Sequence, residues 1–262
     1  MSDEGIEAAQ AYEELLVPAL FQEWAPRIAD AVATKPGDRV LDVACGTGAV
    51  TRELVARVGA TGAVSALDLA PGMVAVARPK APTADIREGN AQALPWPDAS
   101  FDAVVCQFGL MFFADRVQAV REMLRVLVPD GRLAVSTWAP LADAPAYADE
   151  LALVERIAGP AAGVPLRVPF ALGDRAELTR VLIDAGATSV AVTTHPGTGN
   201  FPSVRTMLEA DLRGWLPLNG VVLEEPVIQR VLAEAEPALA RYMAADGTLR
   251  FAMPGHVATA VR

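Results

Sequence analysis

The stretch Val40-Leu41-Asp42-Val43-Ala44-Cys45-Gly46-Thr47-Gly48-Ala49-Val50-Thr51 decides how this chain folds. Val40, Leu41 and Val43 form a short apolar run, the pattern of a strand buried on both faces. Gly46 and Gly48 interrupt it, and Val50 to Val58 resumes with helical spacing. Strand, glycine turn and helix in that order open a nucleotide-binding α/β unit. Glycine allows the tight turn and lets a ligand approach the backbone where a Cβ would collide. Taken alone, such a turn also joins strands to helices for purely structural reasons.

Working outward, Ala8 to Val32 reads as an amphipathic helix with Leu15, Leu16, Leu20, Phe21, Trp24 and Ile28 on its apolar stripe. Pro18 and Pro26 are expected to divide it. Lys35-Pro36-Gly37-Asp38 is turn chemistry leading into the first strand. Beyond the glycine turn, Ala63 to Leu69 reads as a second strand with Asp68 at its end. Asp68 stands about twenty residues past Gly48, where dinucleotide folds place the acid that reaches a ribose diol. A carboxylate suits that task because it accepts from two adjacent hydroxyls. Pro71 to Ala77 is a short helix and Ala84 to Glu88 a third strand. Asp102 to Phe108 is a fourth strand. Asp115 to Leu127 is a helix stopped by Pro129-Asp130-Gly131, and Arg132 to Trp138 is a fifth strand. Strands alternating with helices imply a parallel, right-handed, doubly wound sheet. Ligands of such sheets sit beyond the carboxyl ends of the strands.

Composition narrows the function classes. The 262 residues carry 52% hydrophobic residues, enough for a sizeable core, and a net charge of -10. With a pI near 4.7, that charge argues against a nucleic-acid partner and fits small-molecule work. Ser2 to Glu14 is acidic and polar, without the pattern of a secretory signal, and the longest apolar stretch, around Val104 to Ala114, is too short to span a bilayer. We therefore expect no membrane insertion. Two cysteines, Cys45 and Cys106, cannot build a disulfide framework and point to a reducing, cytoplasmic setting. They read as small reduced core residues beside the crevice, and no metal is expected, since a metal site needs more ligands.

Four segments together carry a family resemblance. Val-Leu-Asp-Val-Ala-Cys-Gly-Thr-Gly from Val40, the strand end at Asp68, Leu-Pro-Trp-Pro-Asp-Ala-Ser-Phe-Asp from Leu94 and Arg-Glu-Met-Leu-Arg-Val-Leu-Val-Pro-Asp-Gly-Arg-Leu from Arg121 stand in order over about residues 38 to 138. In them the chain resembles a class I S-adenosylmethionine-dependent methyltransferase of the ubiquinone/menaquinone-biosynthesis-like, small-molecule branch. The resemblance implies a Rossmann-like doubly wound α/β sheet of seven strands, with strands 1 to 5 and 6 parallel and the last antiparallel. An N-terminal helical cap and a helical lid insert would flank it. One domain over 1–262 follows: cap at about 5–33, cofactor-binding core at about 34–140, substrate insert at about 141–173, core helix and strand at about 174–198, helical lid at about 199–247 and final strand at about 248–262.

The same resemblance assigns roles. The turn formed by Ala44, Cys45, Gly46 and Gly48 would receive the methionine half of S-adenosyl-L-methionine, Asp42 would orient its ammonium, and Gln107 would line that half. Asp68 would hold the ribose hydroxyls, with Leu69 and Met73 against the adenine and Asn90 and Ala91 reading its edge. Ala44 replaces the first motif glycine, and Asn90 stands where many relatives carry Asp. A neutral acceptor there binds less strongly than a charged one.

Since a sulfonium methyl is already activated, the protein's main task is alignment for in-line displacement. A base is needed only for an acceptor protonated at working pH. The two histidines are His195, after the sixth strand Ser189 to Thr194, and His256, in a final apolar strand Phe251 to Val261. His195 is the candidate base, although an exposed loop position is the simpler reading; His256 reads as structural. Leu141 to Ala171, rich in proline, reads as an irregular insert, and Val204 to Trp215 and Glu225 to Tyr242 as lid helices. Tyr12, Phe108, Met111, Phe112, Trp138 and Trp215 are the candidate lining of an apolar substrate pocket. Gln107-Phe108-Gly109-Leu110 lacks the Asn/Asp-Pro-Pro-Tyr/Trp signature of nucleic-acid amino methylases. The partner expected is a small apolar or aromatic methyl acceptor, and the protein a monomer or homodimer. Two other readings stay open here: a cofactor-binding protein without methyl transfer, cyclase-like or sensing, and an NAD-dependent dehydrogenase, against which Thr51 at the third glycine position and the Leu94 to Asp102 segment speak.

Overall fold

The computed structural model describes residues 3–262; Met1 and Ser2, which begin the expected domain and acidic stretch, lie outside them. Among the described residues nine strands form: β1 Arg39–Val43, β2 Ala63–Asp68, β3 Asp85–Glu88, β4 Phe101–Gln107, β5 Leu127–Trp138, β6 Thr188–His195, β7 Thr198–Phe201, β8 Leu249–Ala252 and β9 Gly255–Val261. Seven build the main sheet in the order β3-β2-β1-β4-β5-β9-β6. β1 to β5 pair in parallel, and β9 runs antiparallel between β5 and β6. The switch point lies between β1 and β4, where the chain order reverses, and it sets the crevice above Val43 and Gln107.

The crossovers are helical. α1 Asp3–Ala11 and α2 Trp24–Ala31 precede the sheet; α3 Ala49–Val58, α4 Pro71–Lys80 and α5 Arg116–Val126 connect its parallel strands. Buried Val50, Leu54 and Val58 on α3 pack with Ile28 of α2 against Val40, Val64 and Val105, covering one face of the sheet. The opposite face carries the larger cluster, in which Leu41, Val43, Val104 and Val135 meet α5 and the inserted helices.

Four expectations needed correction. Pro18 does not divide the N-terminal helix; it sits inside a π-helical segment, Tyr12–Phe21, whose wider turn tolerates a residue without an amide proton. The break falls at Gln22 and Glu23, and Pro26 is taken up within α2. Leu141 to Ala171 is not irregular but largely helical, with α6 Pro145–Ala158 and α7 Pro160–Arg167. Pro145 and Pro160 are the first residues of their helices, where the missing amide costs nothing and the fixed φ helps. The final strand is two strands: Met253 and Pro254 separate β8 from β9, and β8 leaves the main sheet to pair with β7. α8 Arg175–Asp184 then packs beside β6, α9 Val204–Ala210 passes through a π-helical turn Asp211–Trp215 into the short α10 Leu216–Leu218, and α11 Glu225–Leu239 lies along α6.

Candidate active site

The parallel register brings the ends of β1, β2 and β3 side by side, with Val43 opposite Leu67 and Asp68 opposite Glu88. Directly after β1 the backbone turns left-handed at Ala44 (φ 58°), and after β4 it does so at Phe108 (φ 51°). For residues with a Cβ this costs about 1–2 kcal/mol each, a strain that gathers at functional sites. Hydrogen bonds hold the turn in place: the Cys45 amide donates to the Leu67 carbonyl at 3.0 Å and the Gly48 amide to the Cys45 carbonyl at 2.9 Å. Gly48 itself (φ 88°) caps α3, and a Cβ there would press on Ala77 of α4 at 3.4 Å.

Two carboxylates flank the turn. Asp68 is half-buried; its Oδ2 accepts from the Gly46 amide at 2.8 Å and its Oδ1 from the Ala70 amide at 2.9 Å. Each oxygen keeps a further lone pair for a hydroxyl donor. Asp42, fully buried in β1, accepts from the Thr51 hydroxyl at 2.7 Å through Oδ2, while its Oδ1 has no partner among the described residues. Burial raises the Asp42 carboxyl to about 7, against the pull of the Thr51 hydrogen bond. The Gln107 side chain shows the same pattern: its Nε2 donates to the Phe21 carbonyl at 3.4 Å and its buried Oε1 has no partner. Asp42, Ala44, Cys45, Gly46 and Gln107 line one pocket of about 330 Å³, counting its open mouth, together with Thr47, Ala49 and Val50 at the start of α3. A buried acceptor without a donor costs free energy, so two of them facing a glycine-walled hollow fit a ligand that brings donors.

The remaining cofactor candidates border the pocket rather than line it. Leu69 is 69% exposed beside Asp68, Met73 is half-buried on α4, and Asn90 and Ala91 follow β3. The exposed Asn90 turns its Oδ1 back to the Gln92 amide at 2.9 Å, and the Gly89 amide ties this loop to the Asp68 carbonyl at 2.9 Å.

Above the turn, Glu13 fastens the N-terminal helices down. It accepts from the Thr47 hydroxyl and pairs with Arg52 at 3.3 Å and Lys80 at 3.0 Å. Its neighbour Tyr12 is thereby held against Gly46 and stacks on Phe21 with ring centroids 5.4 Å apart.

Tyr12 and Phe21 also form part of the wall of a second, larger pocket of about 650 Å³ including its mouth. Phe108, Phe112, Trp138 and Trp215 line it, whereas Met111 lies in the adjoining core at 2% exposure. Phe108 and Trp138 stack at 3.7 Å, and Trp24 braces both edge-on from beneath. Sequence reasoning missed Leu16, Leu20, Tyr147, Leu166, Phe170, Met253 and, above all, Asp211. The apolar residues look like ordinary helix stripes and Asp211 like a solvated lid charge, so no local signal marks them.

Neither histidine reaches a pocket wall. His195 ends the edge strand β6, paired with Gly255, and lines neither pocket, so the structure does not bring the candidate base to the crevice. His256 is buried between Thr194, whose hydroxyl lies 2.9 Å from Nδ1, and the Gly173 carbonyl, 2.8 Å from Nε2. A proton on Nε2 satisfies both contacts, a structural arrangement. Cys45 lines the smaller pocket and Cys106 is fully buried behind it; burial pushes both thiols up, away from the reactive thiolate.

With this geometry in hand, comparison with known proteins is informative. A family profile described as "Methyltransferase domain" matches residues 41–135, from β1 to β5. Over that stretch the chain is similar to methyltransferase domains. Its demethylmenaquinone methyltransferase relative from Renibacterium salmoninarum is 44% identical over 117 residues, covering 45% of this chain and 48% of that protein. The ubiquinone/menaquinone biosynthesis C-methyltransferase UbiE of Xanthomonas oryzae pv. oryzae is 40% identical over 128 residues, 47% of this chain and 51% of its own. The chain thus spans about half the length of the curated relatives it matches. The crystal structure of the YcgJ protein from Bacillus subtilis shares the fold more widely, covering 92% of this chain and 98% of its own at a TM-score of 0.60 and 18% identity. The family match ends at residue 135, and most of the residues that line the larger pocket lie outside it.

Proposed function

We propose that this protein transfers a methyl group from S-adenosylmethionine to a small apolar or aromatic metabolite. The observation that carries the reading is the unpartnered Asp42 Oδ1, buried in a glycine-walled pocket that shares Tyr12 and Phe21 with an aromatic one. Asp42 and Gln107 would accept from the cofactor ammonium, with Ala44, Cys45, Gly46 and Gly48 shaping the floor. Asp68 would take the ribose hydroxyls on its remaining lone pairs while holding the Gly46 amide. Leu69 and Met73 would lie against the adenine, and Asn90 and Ala91 at its edge. Bound there, S-adenosylmethionine supplies an activated sulfonium methyl.

What the chain adds is placement and dryness. Tyr12, held by the Glu13 latch, would separate the two pockets from bulk water. Phe108 and Trp138 would set the plane of the acceptor, and Phe112 and Trp215 would close over it. Aromatic faces near a sulfonium also contribute cation–π attraction of about 0.5–2 kcal/mol. The demethylmenaquinone and ubiquinone/menaquinone relatives act on quinone-type rings, and an aromatic acceptor suits this pocket as well.

Titration calorimetry with S-adenosylhomocysteine and with NAD tests the cofactor. Binding of the former and none of the latter is expected; absence of S-adenosylhomocysteine binding would overturn the proposal. Transfer of label from methyl-labelled cofactor to a metabolite extract tests the reaction itself.

A further inference from the structure

The larger pocket ends on a charge problem. Asp211, in the π-helical turn between α9 and α10, is the sole acidic or basic residue among the fourteen that line it; eight of the others are aromatic. It is 6% exposed, and its Oδ2 has no hydrogen-bond partner. Behind it stands Glu150 of α6, 0% exposed, with neither carboxyl oxygen partnered by any donor. The two carboxyls face each other closely enough for one, when protonated, to donate to the other, and burial pushes both up from the usual carboxylate range. Glu150 is the more deeply buried and does not line the pocket, which makes it the proton holder and Asp211, at the pocket wall, the acceptor. Tyr147, one turn earlier on α6, also lines the pocket, and its hydroxyl is pushed up by burial and by the same two acids.

Among the described residues, no cation balances them. The arginines on the elements around the pair are engaged at the surface: Arg156 and Arg230 with Glu234, Arg167 with Glu155, Arg205 with Glu209, Arg213 with Glu225, Arg241 with Asp149 and Arg250 with Asp246. Buried like charges of this kind ionise at most once, and burial holds part of the population neutral until a cation arrives, so the pocket wall carries at most a single negative charge. Buried charges are otherwise found paired. Aromatic faces around a lone carboxylate favour a monocation over a neutral hydroxyl, because the rings add cation–π attraction to the ion pair.

We propose that Asp211, backed by Glu150, anchors a protonated amine on the methyl acceptor, so that the acceptor class is an apolar or aromatic amine. The proposal rests on the methyltransferase reading and names the acceptor's polar group. Glu150 is then a positioning residue that fixes the charge on Asp211, and Asp211 a specificity determinant.

The test uses the full chain saturated with S-adenosylhomocysteine and two near-isosteric probes, 2-phenylethylamine and 2-phenylethanol, titrated calorimetrically. The amine is expected to bind at least about tenfold more tightly than the alcohol, with protons released to the buffer as the pair ionises. That release appears as a dependence of the measured heat on the buffer's own ionisation heat, and it needs no variant. Asp211→Asn should abolish the preference and Glu150→Gln weaken it, both with unchanged S-adenosylhomocysteine affinity. Equal or tighter binding of the alcohol, a preference that survives Asp211→Asn, or no binding of either probe would overturn the amine assignment and leave the methyltransferase reading standing. Failure of S-adenosylhomocysteine to bind would remove that reading and this one with it.

Discussion

The two pockets of this protein share two side chains and differ in how they are made. The smaller comes mainly from one stretch: Asp42 to Val50 supply seven of its eleven lining residues, joined by Gln107 and by Tyr12, Val17 and Phe21 of the cap. The larger is gathered from five separate parts of the chain: the N-terminal π-helical segment, the residues after β4, the end of β5 with the α6–α7 insert that follows it, the turn after α9 and the residue after β8. A pocket made by one continuous turn is fixed by local geometry and hydrogen bonds. One made from five segments depends on how inserts pack, and it can change its specificity without disturbing the turn.

The largest effect that sharpens this contrast is expected at Asp42. Asp42→Asn should lower S-adenosylhomocysteine affinity by roughly ten- to a hundredfold, the loss of a charge-assisted hydrogen bond worth about 1.5–3 kcal/mol. Binding of an acceptor probe should be far less affected. The same variant has a stability signature. The folded Asp42 carboxyl is raised to about 7, so the unliganded protein loses stability as pH rises from about 4, the unfolded value, through about 7. Asp68, Glu150 and Asp211 are raised too and slope the same way. The difference in thermal unfolding between parent and variant, followed from pH 5 to 8, isolates Asp42; equal slopes would contradict its burial as a charge.

A middle-sized effect is expected at Trp215, whose indole nitrogen donates to the Pro165 carbonyl at 2.8 Å and whose ring tilts onto Phe112 at 5.4 Å. Trp215→Ala should weaken acceptor binding about tenfold, on the scale of a truncated aromatic anchor, and leave cofactor affinity within twofold. Comparable losses at both sites would show that the pockets are not separable. The smallest effect belongs to Ala44→Gly. Relief of the left-handed strain and the entropy of glycine nearly offset, so stability should change by less than about 1 kcal/mol in denaturant unfolding. A larger loss would mean that the Ala44 methyl packs in a way the turn alone does not require.

The legibility of the site follows the same division. Gly46, Gly48, Asp42 and Asp68 could be read because a strand, a tight turn and an acid at a fixed distance leave a short-range pattern. The parallel run of the strands was likewise readable from their alternation with helices. The prolines misled: Pro145 and Pro160 start helices, and Pro18 rides within one, because proline's cost depends on which amide would have been needed. His195 was placed at the right strand end but on the sheet's far edge, since sequence does not say that β9 intervenes between β5 and β6.

Sequence by itself determined the sheet, the glycine turn and the acids that flank it, for these depend on neighbours within a few residues or on a periodicity that any buried strand must obey. Only the tertiary structure decided that Glu150 and Asp211 meet, that no arginine reaches them and that eight rings converge on one cavity. The reason is physical: burial, and with it the cost of a charge, belongs to no single segment until distant helices have packed together.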